Sequence, residues 1–450
     1  MNYELFCTFV VMKASFLIAA PHSGSGKTTV ARGLMALLKR KGYTVQPFKC
    51  GPDYIDTKFH ERVCGRPSVN LDSFFASEEH LQELFARYTQ GADIAVVEGM
   101  MGLFDGYDRD RGSSAEIARI LGLPIVLVVD ARSAAYSIAA LLQGFTGFRP
   151  GLTFAGVIFN KVSSERHAQM LREVCEDLHI ECLGCLPKRE ELETASRYLG
   201  LDFNLPPSPP KEGGLSSDET LVNLLNEHVD WERLLGYGKR EVRNNREYIK
   251  ETKAHAPSLG GGRGRFLIAR NAESFSFIYQ ENIDRLHALG TVEFFDPEEE
   301  SLILNPFTFH LLYLPGGYPE KHLEALAANE HCRRAIKDFA EQGGHIVAEC
   351  GGMMYLCESI VTDEGEYPMC GVLPYKISAR KADRKLSLGY RQFTLDGKEY
   401  RGHEFHYTQF LGNTPASVVQ VFDAKGRSVP TPILRYKNVL ASYTHIYNIV

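Results

Sequence analysis

The sequence predicts an α/β protein with two domains in series, the first organised on a parallel sheet and the second again α/β. Three observations carry this. From Ser15 to about Pro187, apolar runs of strand length alternate with segments of helical period; composition then breaks at 204–214 and over 239–264; a second alternation starts after Arg265. A length of 450 residues exceeds one ordinary core and suits two or three domains.

Residues 1–13, MNYELFCTFVVMK, hold a short apolar run, but Glu4 precedes it and neither a basic region nor a small-residue cleavage site accompanies it. They read as an N-terminal tail, or as an upstream start with Met12 the functional initiator. In the first domain, 14–238, the strand-length runs are 16–20, 44–48, 94–98, 125–130, 156–160 and 181–186, with helices between them at 78–88, 114–121 and 164–178. Four prolines in 204–214 cannot continue a ladder or a helix. A helical piece at 218–235 is expected to pack back on the first domain, and the charged run 239–253 with the glycine cluster 260–264 reads as a linker. The second domain, 265–450, opens with strands at 266–269, 311–314 and 346–349 and helices at 279–289 and 332–342. Beyond Cys370 the pattern is more strand-like and ends with 439–443.

A net charge of −6 argues against a broad nucleic-acid footprint and a polybasic membrane patch. No apolar stretch of about twenty residues predicts a membrane span. The ten cysteines lack framework spacing, which suits a reducing cytoplasm. Cys182 and Cys185 form a lone C-x-x-C with no second pair or histidine cluster, and read as structural rather than as a metal or redox site.

The first domain is organised around APHSGSGKTT, residues 20–29, which follows an apolar strand and opens into the apolar-periodic segment 30–38. A strand, a tight glycine turn and a helix N-terminus are what a phosphate group needs. Gly24 and Gly26 permit positive φ and bring backbone N–H groups to phosphate oxygens; Lys27 adds a cation and Thr28 offers a hydroxyl to Mg²⁺. Pro21 stands where the usual pattern begins with glycine, so this is a variant P-loop. Ligands of a parallel sheet gather at the carboxyl ends of its strands. GPDYID, residues 51–56, places Asp53 and Asp56 there; Glu98 ends the third predicted strand, with Asp105 in the loop EGMMGLFDG. Buried carboxylates need a partner, and Mg²⁺ beside a triphosphate supplies one, so Asp53, Asp56 and Glu98 are read together. Asn160, at the tip of the fifth predicted strand, reads either as a contact to a nucleotide base or as a turn residue.

In the second domain HIVAECGGMMYLCE, residues 345–358, puts Cys350 on the turn between an apolar strand and a helix, with Ala348 and Gly352 as the small neighbours such a turn demands. The helix N-terminus is expected to lower the thiol pKa. A thiolate that attacks a carboxamide needs oxyanion donors and a base. LPGGYPE, residues 314–320, offers Gly316 and Gly317 after a strand end. His445 in SYTHIYN is the favoured base because it follows the last strand; His403 and His406 in RGHEFHYT compete for the role.

Together these residues resemble the cobyrinic acid a,c-diamide synthase family, glutamine-dependent corrinoid amidotransferases similar to dethiobiotin synthetase in the first half and to class I glutamine amidotransferases in the second. The likeness runs from Lys13 to Val450 through SGSGKTT, KCGPDYID, VEGMMGLFDG, LPGGYPE, AECGGM, RGHEFHY and SYTHIY. It implies ATP binding by Ser23, Gly24, Ser25, Gly26, Lys27, Thr28 and Thr29. Thr28, Asp53 and Glu98 are then expected near Mg²⁺, and Asp53, Tyr54, Asp56 and Asp105 near the substrate carboxylate and its acyl phosphate. Cys350 is implied as the glutaminase nucleophile and His445 as the residue that raises its nucleophilicity. Class I glutaminases usually carry Glu two residues after that histidine; here the position is Tyr447, so a Cys–His dyad is expected. The implied activity is cytoplasmic, ATP-dependent amidation of the a- and c-acetates of cobyrinic acid in cobalamin biosynthesis, with glutamine or ammonia as donor. Its partners are cobyrinic acid, glutamine and ATP, with no nucleic acid or membrane, and a homodimer is compatible. The motifs leave hydrogenobyrinic acid and Ni-sirohydrochlorin open as substrates and, from another class, a P-loop regulatory ATPase with a binding domain.

Overall fold

The computed structural model describes residues 12–189, 217–237, 264–299, 304–305 and 308–449. The proline-rich stretch 204–214, the linker apart from Gly264, and residues 1–11 lie outside these. The chain divides into two compact units, Met1–Tyr248 and Ile249–Val450.

In the first unit β1 (Ala14–Ala19), β2 (Val45–Cys50), β3 (Val69–Leu71), β4 (Ile94–Glu98), β5 (Ile125–Asp130), β6 (Phe154–Val162) and β7 (Cys182–Pro187) form one sheet. The order is β3-β2-β4-β1-β5-β6-β7 and every pairing is parallel. All residues of β1, β2 and β4 are buried; β1 and β4 read as nearly continuous apolar runs rather than alternating ones, while β2 also buries Gln46 and Lys49. The expected strands are present; β3 is additional, because three residues give no periodic signal and only pairing with β2 makes them a strand.

The helices are α1 (Lys27–Arg40), α2 (Ile55–Cys64), α3 (Glu78–Tyr88), α4 (Ser114–Leu121), α5 (Ile138–Gly147) and α6 (Glu165–Asp177). α3 and α4 begin where expected because Ser77 and Ser113 cap them, accepting from the N–H groups of His80 and Glu116. α1 buries Val30, Ala31, Leu34, Met35, Leu37 and Leu38, the stripe that a helix lays on a sheet. The single helix expected at 218–235 is two, α7 (Ser217–His228) and α8 (Trp231–Tyr237), parted where Val229 bridges Gly184 of β7. Gly33 admits α7 to α1: a Cβ there would come 2.2 Å from Leu225 Cδ1 and 2.8 Å from Leu221 Cγ.

In the second unit β8 (Gly264–Ala269), β9 (Gly290–Phe295), β10 (Leu311–Leu314) and β11 (Ile346–Glu349) join Ile433–Tyr436 and Val439–Ser442 in a six-stranded sheet. α9 (Gln280–Leu289) leads directly into β9, a half-exposed edge strand that the apolar pattern does not announce. The strand-like C-terminal part forms two further sheets, in one of which Ser387–Leu395, Lys398–His406 and His445–Tyr447 lie side by side. That pairing sets His445 opposite His403. Among the described residues no helix is long and apolar enough to cross a membrane.

Candidate active sites

The phosphate loop forms where β1 ends. Gly24 (φ 83°) and Gly26 (φ 95°) take left-handed conformations that a side chain would strain, and Gly26 leads into α1. α1 has no acid in its first turn, so its positive end is left for an anion. Ser25 is buried, Ser23 and Gly24 are exposed, and Lys27, Thr28 and Thr29 are half-buried. Asn160 Nδ2 donates to the Ser25 carbonyl at 3.0 Å, and its Oδ1 accepts from the Lys161 N–H at 2.9 Å. The carboxamide expected at a base or a turn thus braces the loop from below.

Behind the loop, charges converge on Glu98. Thr28 Oγ1 donates to Glu98 Oε1 at 2.6 Å, with Lys27 Nζ at 3.5 Å and Lys49 Nζ at 3.0 Å from the same oxygen. Lys49 Nζ also donates to Asp56 Oδ2, and His60 Nε2 lies 2.8 Å from Glu98 Oε2. Burial alone would favour the neutral acid, but Lys49 and Lys27 outweigh it and hold Glu98 well below the usual carboxylate range. Burial likewise opposes the Lys49 ammonium, yet Glu98 and Asp56 raise its pKa above that of an ordinary lysine. Lys27 is the weaker cation, its pKa lowered by burial and then by Lys49. Burial, with Glu98 next, pushes Asp56 up to about 6.

Asp53 Oδ1 accepts from the N–H groups of Ile55 and Asp56 at 2.8 and 2.9 Å, starting α2, and its charge raises the pKa of both Lys27 and Lys49. Tyr54 is buried beside it. Asp105 Oδ2 accepts from the Gly102 N–H at 2.9 Å and folds its own loop back. Among the described residues no three His, Cys, Asp or Glu side chains are grouped to hold a metal unaided. Thr28, Asp53 and Glu98 present oxygens, the donors Mg²⁺ takes, while Thr28 and Glu98 are here bonded to each other and Glu98 is also met by Lys27, Lys49 and His60. Cys182 and Cys185 place their Sγ atoms 4.0 Å apart without completing any such group.

In the second unit Cys350 (φ 46°, ψ −107°) makes the sharp turn between β11 and the helix Gly351–Leu356, its N–H donating to the Ser442 carbonyl at 2.7 Å. The glycines around it are closely packed. A Cβ at Gly352 would sit 2.0 Å from the Leu314 carbonyl oxygen, one at Gly351 2.9 Å from the Gly317 carbonyl oxygen, and one at Gly316 2.2 Å from His445 Cε1. Gly316 therefore packs against the His445 ring, and Gly317 against Gly351, the residue after Cys350.

The expected lowering of the thiol pKa is reversed. Burial, followed by the charge of Glu320, pushes Cys350 above an ordinary thiol, and the Gly351 N–H opposes this only in part. At 5% exposure, desolvation outweighs the end of a six-residue helix. Burial, then His403 and His406, pushes His445 down to about 3. Burial thus favours the neutral thiol at Cys350 and the neutral imidazole at His445. His406 is committed elsewhere: its ring nitrogens lie 2.8 Å from Glu404 Oε1 and 2.8 Å from the Thr408 carbonyl oxygen, and it stacks on Tyr443.

Residues 16–199 match the CobQ/CobB/MinD/ParA nucleotide binding domain, and residues 268–448 the CobB/CobQ-like glutamine amidotransferase domain. The chain is 38% identical over 446 residues to the cobyrinate a,c-diamide synthase of Caldanaerobacter subterraneus, covering 96% of this chain and 94% of that protein. It belongs to the cobyrinate/hydrogenobyrinate a,c-diamide synthase family. The cobyrinate a,c-diamide synthase of Listeria monocytogenes is 38% identical over 449 residues, covering 96% of this chain and 95% of that one. The hydrogenobyrinate a,c-diamide synthase of Brucella anthropi is 39% identical over 446 residues, with 96% and 98% covered. A nucleotide-binding half and a glutamine amidotransferase half thus share this one chain, the arrangement of a carbon–nitrogen ligase that takes its amide nitrogen from glutamine.

Two residues of the cluster around Glu98 carry little signal in the sequence. Lys49 and His60 both touch Glu98, and the signal available for Lys49 was a lysine inside the buried run VQPFKC. His60, in the middle of α2, carried no such signal.

Proposed function

We propose that the protein amidates the a- and c-acetate carboxylates of cobyrinic acid, activating each acid with ATP and taking nitrogen from glutamine. The single observation that carries this is near-full-length similarity to proteins named for that activity. The Lys27–Thr28–Glu98 cluster fits the phosphoryl-transfer half of the reaction, and Cys350 on its turn with His445 packed on Gly316 fits the glutaminase half.

A carboxylate is a poor electrophile. Transfer of the γ-phosphoryl group to its oxygen gives an acyl phosphate and ADP, and Lys27 and Lys49 set positive charge where the transferred group gathers negative charge. Thr28, Asp53 and Glu98 would hold Mg²⁺, which when bound neutralises the phosphates. Tyr54, Asp56 and Asp105 belong to the acceptor side. At the other site His445 takes the Cys350 proton as the sulfur bonds to the glutamine carboxamide carbon, and the Gly316 and Gly317 N–H groups receive the oxyanion. The imidazolium returns the proton to the departing nitrogen as the C–N bond breaks, and water hydrolyses the thioester to glutamate. Ammonia attacks the acyl phosphate carbon and expels phosphate, at one acetate and then the other. The need for ATP and glutamine, both supplied in the cytoplasm, supports a cytoplasmic location.

Similarity to the Brucella anthropi protein supports a second reading, with hydrogenobyrinic acid as the acceptor. Cobyrinic acid, hydrogenobyrinic acid and Ni-sirohydrochlorin assayed side by side with ATP and glutamine separate these. Diamide formed from cobyrinic acid is expected, and no product from it with either glutamine or ammonium refutes the assignment.

A further inference from the structure

The carboxylate usually found two residues after the catalytic histidine is replaced here by Tyr447, whose hydroxyl donates to Glu281, a side chain that also pairs with Arg285. A different carboxyl lies beside the imidazole. Glu349, the residue before Cys350, is 1% exposed and has Oε2 4.0 Å from His445 Nδ1. It is held from three sides. The Tyr313 hydroxyl of β10 donates to Oε2 at 2.6 Å, the Ile446 N–H donates to Oε1 at 2.9 Å, and Glu349 itself is in register with Ser442 across the sheet. The other buried carboxyl near the imidazole, Glu404, is taken by Arg391, Thr431 and His406.

We propose that Glu349 is the positioning residue of the glutaminase pair, holding the His445 ring through Nδ1, leaving Nε2 to exchange protons with Cys350, and serving as counter-ion to the imidazolium. This assignment rests on Cys350 and His445 being that pair. The proton balance closes: the Cys350 Sγ–H proton moves to Nε2 as the S–C bond forms, the imidazolium keeps Nδ1–H towards Glu349, and the Nε2 proton leaves with the departing nitrogen. Glu349 gains and loses nothing over the cycle. Once the imidazolium forms, 4.0 Å in a water-excluded site leaves a substantial attraction to the Glu349 carboxylate, and catalytic hydrogen bonds tighten from longer resting distances when substrate binds.

The pH dependence has a definite sign. Burial pushes Glu349 up to about 8, with the Tyr313 hydroxyl and the Ile446 N–H opposing, so its negative charge arrives as pH rises. The surrounding groups are Tyr313 with Tyr279 and Asn282 near it, Glu320 on the thiol side, and His403, Glu404 and His406 on the strand Lys398–His406.

The test is Glu349→Gln in the full-length chain, with glutamine hydrolysis and ammonium-driven amidation followed from about pH 6.5 to about 9. The expected result is a fall in kcat for glutamine of about tenfold or more, KM for glutamine within about twofold, loss of the rising alkaline limb, and unchanged ammonium-driven amidation. A native kcat with the native pH profile overturns the proposal while leaving the glutaminase pair intact. Failure of the unmutated chain to hydrolyse glutamine would instead remove the pair itself. If Glu349→Gln does not fold, Tyr313→Phe decides: losing a donor that favours the charged carboxylate moves the pH midpoint of glutamine hydrolysis upwards, and an unmoved midpoint overturns the proposal.

Discussion

Gly316→Ala isolates the geometry of the imidazole from everything else at the thiol site. The new methyl would lie 2.2 Å from His445 Cε1, 3.0 Å from Nδ1 and 3.1 Å from Nε2, so the ring must give way. Restoring ordinary contact takes a displacement of roughly 1 Å or more, and errors of that size in a catalytic group cost on the order of a hundredfold in rate. His445 is 1% exposed and cannot swing into water, so the strain stays in the core, where overpacking costs about 1–3 kcal/mol. The backbone N–H at 316 survives the change, which excludes loss of an oxyanion donor as the cause. Glutamine-dependent amidation should therefore fall about a hundredfold while ammonium-driven amidation stays native, with the thermal midpoint lowered by a few degrees. An alanine variant that hydrolyses glutamine at the native rate would show that the ring does not need its present position, and would refute His445 as the base.

Cys350→Ala is expected to abolish amidation from glutamine and to spare amidation from added ammonium; loss of both in a folded protein contradicts the division of labour between the two sites. Lys49→Met leaves Glu98 and Asp56 buried with less compensation, which costs about 3–5 kcal/mol of stability in denaturant unfolding and removes amidation from either nitrogen source. A stable, active Lys49→Met protein rules out the role given to that ammonium. Below pH 6.5 an unfolded His445 takes up a proton that the native ring refuses until about 3, so native stability falls with acidification, by up to about 1.4 kcal/mol per pH unit. Urea unfolding at pH 7 and pH 5 should show a smaller loss in His445→Asn, and equal losses would contradict a neutral buried imidazole.

The first unit's sheet is legible because fully buried parallel strands are continuous apolar runs, and α3 and α4 are legible to the residue because their serine caps are visible before any packing is known. β3 and β9 are not, one being three residues long and the other a half-exposed edge. The same division runs through the sites. Gly24, Gly26, Cys350 and Gly316 announce themselves, since each motif encodes a local backbone shape. Lys49 does not, because a charge inside a strand makes sense only once Glu98 and Asp56 arrive from other elements. The thiol's protonation is misjudged for a related reason: a helix end is local and visible, whereas the desolvation that overrides it is a property of the assembled core. Glu349 stands in plain sequence next to the nucleophile, yet its proximity to His445 depends on how two strands distant in the chain are brought together.

A protonated sulfur closed off from solvent is also a poor target for peroxide, which oxidises thiolates that it can reach. In the proposed mechanism Cys350 becomes a thiolate only while glutamine is bound and the imidazole holds its proton. On that mechanism the idle protein would keep Cys350 through oxidative episodes that convert an exposed, low-pKa cysteine to sulfinic acid, and peroxide damage would fall on molecules in the middle of turnover.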